Sequence, residues 1–253
     1  TVDFVPIGQA RTYVDVRSAA AAWRANPDLA LRQLAAGQNL VSYGLAADLR
    51  QAGPPRSGAE GAAIPLDVTV WGPSWSAADQ LTVFANGVPV WRRALAAGRK
   101  PGKKFSGVIT VPAPRHDAAF VAVATGPGVL EPFWEVRKPY QPTSDEWHPM
   151  VLGVSRAVWI DIDRDGTVQS PLACAKKVLQ TAGPRPAALA RELAAYDASV
   201  TRHVLYQLHQ SGLNLESSEV KQPFMIASAH LRKTYEEFLR ELTSALPRPE
   251  ARP

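Results

Sequence analysis

Leu81-Thr82-Val83-Phe84-Ala85-Asn86-Gly87-Val88-Pro89-Val90-Trp91 decides the fold class. Two apolar runs flank Asn86-Gly87, and a type I′ turn needs positive φ at both central residues, which Asn and Gly tolerate best. The stretch therefore predicts a β-hairpin. Upstream, Leu66, Val68 and Val70 alternate with Asp67, Thr69 and Trp71, the period-two pattern of a half-buried strand. Downstream, residues 105–111, 118–125 and 150–160 add further strands. Short strands at this spacing predict a β-sandwich of immunoglobulin-like architecture over 64–160.

Outside that region the pattern changes. Residues 1–50 have an α/β rhythm: extended Arg11–Val16, then Asn26-Pro27-Asp28 opening a helix through Leu29, Leu31 and Leu34 that Gly37 stops, then a strand-like run over 39–49. Residues 51–63, rich in Gly, Pro and Ser, are expected to be a linker. Residues 161–183 read as an Asp-rich loop followed by a short helix that Ser170-Pro171 starts and Gly183 ends. Over 184–253, Leu189, Leu193, Tyr196, Val200, Val204 and Leu208 form one apolar stripe. A second helix carries Phe224, Leu231, Tyr235, Phe238 and Leu242, so the two predict a helical hairpin with a tail. The class expected is α+β.

Composition bounds the function. The chain has 253 residues, 46% hydrophobic and 20% charged, enough to bury a sizeable core. Its net charge of +5 comes from 28 Lys and Arg against 23 acidic residues spread along the chain, which reads as solvation rather than a nucleic-acid footprint. One cysteine, Cys174, excludes an internal disulfide and a Cys-based zinc site within one chain. No apolar run is long enough for a membrane span. The chain opens without Met inside what reads as a structured segment, so a fragment or processed product is expected.

The sharpest chemical motif is Asp161-Ile162-Asp163-Arg164-Asp165-Gly166-Thr167. Three carboxylates at alternate positions followed by Gly make the first half of an EF-hand-type calcium loop, in which Asp161, Asp163 and Asp165 converge and Thr167 offers its carbonyl. The bidentate Glu expected at the twelfth position is Leu172. The competing reading is an Asp-rich turn closed by local side-chain bonds. The five His include no His-x-His, and His203 and His209 fall on different helix faces. His116 and His148 read as ordinary surface or hydrogen-bonded histidines. There is no Gly-x-Ser-x-Gly elbow and no phosphate loop. Trp71, Trp75 and Trp91 cluster in the strand-rich region, where exposed rings make either a domain interface or a sugar-stacking platform.

Taken in order, Arg11-Thr12-Tyr13-Val14, Val41-Ser42-Tyr43-Gly44-Leu45, Trp71-Gly72-Pro73-Ser74-Trp75, Lys138-Pro139-Tyr140-Gln141-Pro142-Thr143-Ser144 and Val158-Trp159-Ile160-Asp161 form a series. This series resembles the carboxy-terminal half of metallohydrolases of the PHP (polymerase and histidinol phosphatase) superfamily, CehA/McbA branch, over nearly the whole chain. The resemblance implies that residues 1–50 end an α/β PHP-type barrel. It implies that the intact protein hydrolyses carbamate, ester or phosphoester bonds of a small molecule through metal-activated water. The family's His, Asp and Glu ligands belong to motifs expected upstream of Thr1, so divalent transition metals are expected only there, and no catalytic residue is carried over. Arg11 and Tyr43 are expected at the rim of the site, although Ser42-Tyr43-Gly44-Leu45 departs from the commoner Ser-Asn-Gly-Pro. The partner implied is the upstream segment, and a bacterial periplasmic or secreted location is expected. The alternative reading is a calcium-bound carbohydrate-binding β-sandwich.

Overall fold

The computed structural model describes residues 11–14, 27–58, 61–98, 100–114, 116–127 and 151–245. The Lys138–Ser144 motif, Trp147 and His148 lie outside the described residues. The fold is mixed α+β, with two open antiparallel sheets and six helices among the described residues. The chain divides into two compact units, one formed by Thr1–Ala85, Pro89–Ala113 and Ala119–Trp159, the other by Asn86–Val88, Pro114–Ala118 and Ile160–Pro253.

In the first unit one sheet runs β1 (Arg11–Val14), β2 (Asn39–Tyr43), β10 (Val151–Val154), β9 (Ala118–Gly126), β6 (Ala78–Ala85) and β7 (Val88–Ala97), with β11 (Val158–Ile160) also paired to β9. The other is built on the long β5 (Gly61–Gly72), flanked by β3 (Ala46–Gln51), β4 (Arg56–Gly58) and β8 (Gly102–Pro112). The period-two reading holds residue by residue. Leu66, Val68 and Val70 are wholly buried, and so are Ala47 and Leu49, which face Val70 and Val68 across the ladder. In β9, Phe120, Ala122 and Ala124 alternate with half-buried neighbours. Asn86 and Gly87 take φ of 49° and 82° between β6 and β7, the hairpin turn the sequence predicts.

Residues 39–50, which the sequence groups with an α/β segment, supply strands to both sheets. Tyr43 pairs with Leu152 and Gly153 with Ser42 in one, while Leu49 pairs with Val68 in the other. The chain passes between the sheets at Gly44, whose φ of 90° suits Gly. The expected linker over 51–63 is instead largely strand: Arg56–Gly58 folds back on Gly61–Ala63. α1 (Pro27–Ala35) forms where Pro27 and Gly37 mark it and buries none of its residues.

The second unit differs from a simple helical hairpin. It contains α2 (Pro171–Ala182), α3 (Pro186–Leu193), α4 (Ala198–Gln210), α5 (Ser218–Ile226) and α6 (Ala229–Ala245). The apolar stripe read as one helix is cut at Asp197, whose carboxylate accepts from the N–H groups of Ser199 and Val200 and so starts a new helix. Ser228 does the same for α6 by accepting from Leu231 N. The stripe itself is real: Leu189, Leu193, Val200, Val204 and Leu205 are buried with Phe224, Leu231 and Tyr235 in one core. Phe224 and Tyr235 stack at 4.8 Å, and the Tyr235 hydroxyl donates to the Leu215 carbonyl. Arg202 ties α4 to α6 through Glu237 at 3.1 Å and Glu241 at 2.5 Å.

Candidate metal centre

The Asp-rich loop joins β11 to α2 within residues assigned to the second unit. Its backbone has to turn sharply, and Arg164 and Gly166 take φ of 61° and 86°. Each carboxylate answers a backbone donor that the turn frees. Asp161 accepts from Arg164 N at 2.6 Å and Gly166 N at 2.9 Å. Asp163 accepts from Asp165 N at 3.2 Å. Asp165 accepts from Thr167 N and Oγ1 at 2.8 and 2.7 Å, and those bonds hold its pKa below the ordinary value.

The loop closes around a residue remote in sequence. Asp117, only 2% exposed, accepts from Ile162 N at 2.8 Å with one oxygen and from Gln169 N at 2.7 Å with the other. It thereby pins both ends of the loop. Ligand atoms of Asp117, Asp161 and Asp163 lie within 4.8 Å of one another, the one such grouping of His, Cys, Asp or Glu among the described residues. The expected trio of Asp161, Asp163 and Asp165 is thus replaced in part: Asp165 turns to Thr167, and Asp117 takes its place. Asp163 feels the crowding. The N–H of Asp165 pulls its pKa down, but desolvation, the charges of Asp117 and Asp165 and a hydrogen bond with Asp161 raise it overall.

His116 stands beside this cluster and serves a different neighbour. Its Nδ1 lies 2.9 Å from the Asp117 carbonyl and its Nε2 lies 3.1 Å from Asp197 Oδ2. Both neighbours present acceptor oxygens, so the surroundings favour the protonated ring. Burial pulls its pKa down, while the Asp197 contact outweighs that and raises it. Asp197 in turn sits at about 2, because the bonds from His116 and Ser199 overcome the penalty of burial. A cavity of about 150 Å³ opens against Asp117 and Asp163, lined also by His116, Gln169, Cys174, Lys177 and Tyr196. It has room for a few waters beside the carboxylates.

No family model, curated protein or solved structure matches this chain. The site is therefore read from its own chemistry. Three carboxylates with oxygen donors only are the ligand set of a hard cation such as calcium, and each oxygen already bonded to an N–H keeps a second lone pair. Three side chains fall short of the six to eight oxygens calcium takes, so waters and carbonyls would have to complete the shell. Leu172, where a calcium loop has its bidentate Glu, is exposed on α2.

The expected rim residues belong to the first unit. Arg11 pairs with Ser42 in the β1–β2 ladder and donates to the Tyr13 hydroxyl at 3.5 Å. Tyr43 follows Ser42 and so lies on the opposite face of the sheet from Arg11. One sheet face cannot present both. The residues missed by sequence reasoning are Asp117 and Asp197. The signal for Asp197 was its place before Ser199 in a helix-start pattern, whereas Asp117 had no local signal for its partner loop.

Proposed function

We propose that this chain is the accessory, non-catalytic carboxy-terminal part of a PHP-type metal-dependent hydrolase of carbamate, ester or phosphoester bonds, and that its Asp-rich loop holds one structural divalent cation, calcium. The ordered motif series supports the first half of the reading. The cluster of Asp117, Asp161 and Asp163 carries the second. Its all-carboxylate composition suits a hard, redox-inert cation rather than the His-containing set that activates water on a transition metal. The finer architecture belongs to the same proposal. Residues 1–50 border the catalytic domain's α/β barrel while giving β2 and β3 to the β-rich unit, which is immunoglobulin-like, and α4 pairs with α6 as the hairpin.

A weak site also fits the location proposed. Extracellular calcium modules work at dissociation constants of about 10⁻⁴–10⁻³ M, a range in which a loop lacking its bidentate Glu still fills outside the cytoplasm. The partner proposed is the upstream PHP segment, which brings the transition metals and the small-molecule substrate.

The test is an assay of the purified chain on aryl carbamates, aryl esters and phosphoesters with manganese, zinc or iron. No turnover is expected from the chain alone, and turnover is expected once the upstream segment is added. Chelator-sensitive turnover by the chain alone would overturn the reading. A second reading, a carbohydrate-binding module, is favoured by Trp71 and Trp75, which are 36% and 41% exposed. Saturable binding on a glycan array, lost in Trp71→Ala, would support it instead.

A further inference from the structure

The net charge of the chain is modest, but one stretch departs from the even spread. Between Asp79 and Asp117 there is no acidic residue, and Arg92, Arg93, Arg99, Lys100, Lys103 and Lys104 fall within Trp91–Phe105. In the structure this is the corner where the chain leaves β7 and enters β8, all within the first unit. Arg92, Arg93, Lys100 and Lys103 are exposed, Arg92 and Arg93 on opposite faces of the edge strand β7 so that they flank the corner from both sides, and among the described residues none of them pairs with a carboxylate.

The corner is built rather than loose. β8 carries one extra residue against β5, since Phe105 pairs with Val70 and Lys103 with Trp71, which leaves Lys104 as the bulge. Lys104 Nζ donates to the carbonyls of Gly98 and Lys100 at 3.0 and 2.6 Å and holds the turn closed. The register sets exposed Trp71 beside Lys103, and Trp75 leaves β5 at the same end. Arg93 lies over the Phe105 ring at 5.5 Å, with Trp91 against the same ring at 6.4 Å.

We propose that this corner is a docking surface for an anionic lipid bilayer. Exposed cations interleaved with amphipathic Trp rings are the composition that seats at a headgroup layer, where the cations meet lipid phosphate and the rings enter the interface. Single-stranded nucleic acid fits less well. Stacking of successive bases needs a basic groove that tracks the strand, whereas the cations here surround the turn between β7 and β8.

The experiment is co-sedimentation of the full chain with vesicles of phosphatidylcholine alone and of phosphatidylcholine containing phosphatidylglycerol. Binding to the anionic vesicles only, weakening as salt rises, is expected. With roughly five-fold in partitioning for each cation near the surface, the triple variant Arg92→Gln/Arg93→Gln/Lys103→Gln should bind about a hundredfold more weakly. Its circular dichroism should match the parent. If the triple variant misfolds, the Arg92→Gln/Arg93→Gln pair gives the same reading at about twenty-five-fold. Equal binding to both vesicle types, no binding to either, or saturable binding to single-stranded DNA without vesicle binding would each overturn the proposal.

Discussion

Asp117 and Asp197 are adjacent in space and opposite in task. Asp117 holds the two ends of the Asp-rich loop, so Asp117→Ala leaves the N–H groups of Ile162 and Gln169 without their acceptor. Leaving partly buried donors without an acceptor costs about 1–3 kcal/mol each, and a loss of about 2–6 kcal/mol in urea unfolding is expected. An unchanged midpoint would show that water replaces the carboxylate. Asp197 is the acid-sensitive residue. Its pKa is depressed to about 2 in the folded protein, so its contribution is fully present above the unfolded value near 4 and is lost as pH falls toward 2. The shift corresponds to about 2 kcal/mol. Asp197→Asn should therefore flatten the stability profile between about pH 4 and pH 2, as read by urea unfolding at each pH. A variant with the parent's acid profile would contradict this role. The cap made by Asp197 has a local signature, but the partners of Asp117 do not. A carboxylate that binds backbone N–H groups 45 positions further on leaves no periodic or motif signature.

Among elements, what sequence shows depends on whether the signal is local. The Asn86-Gly87 turn, the Ser170 cap with Pro171, and the Gly183 stop are all set by neighbours in the chain, and the structure has each of them. The apolar stripe over 189–208 was legible as buried surface but not as two helices, because an Asp in mid-stripe reads equally as a solvated position or a cap. The β2–β10 pairing was not legible at all. It joins Val41 to Val154 across more than 100 residues, and nothing local specifies that register. Packing of the β-rich unit gives a direct test. A Cβ at Gly126 would stand 2.0 Å from the Ala77 carbonyl oxygen, whereas one at Gly98 would meet nothing within 4 Å. Gly126→Ala should lower stability by at least about 2 kcal/mol while Gly98→Ala stays within about 0.5 kcal/mol. Equal effects in thermal unfolding would mean that β9 is not packed as described.

For the whole molecule, the sequence separates a strand-rich region from a helical one. What it could not show is that short pieces, Asn86–Val88 and Pro114–Ala118, belong with the helical unit. Those pieces bring Asn86, His116 and Asp117, and Asn86 Nδ2 donates to the Asp117 carbonyl at 3.3 Å and lies 3.4 Å from Asp197 Oδ2. The Asp-rich loop is therefore completed by residues that its own segment lacks. This makes the loop dependent on the fold of the unit, and a cation bound there stabilises that fold through linkage. At ten times the dissociation constant the gain is about 1.4 kcal/mol, enough to raise the unfolding temperature by a few degrees.

Calorimetric titration of the chain with calcium tests the central claim most directly, run beside Asp163→Ala, which removes one ligand from an exposed position and leaves the Asp117 bonds in place. The account predicts one saturable site with a dissociation constant of about 10⁻⁴–10⁻³ M for the parent, lost in the variant while its circular dichroism is unchanged. The same near-zero heats for both proteins up to about ten times that range would contradict it and reduce the loop to a turn closed by its own carboxylates.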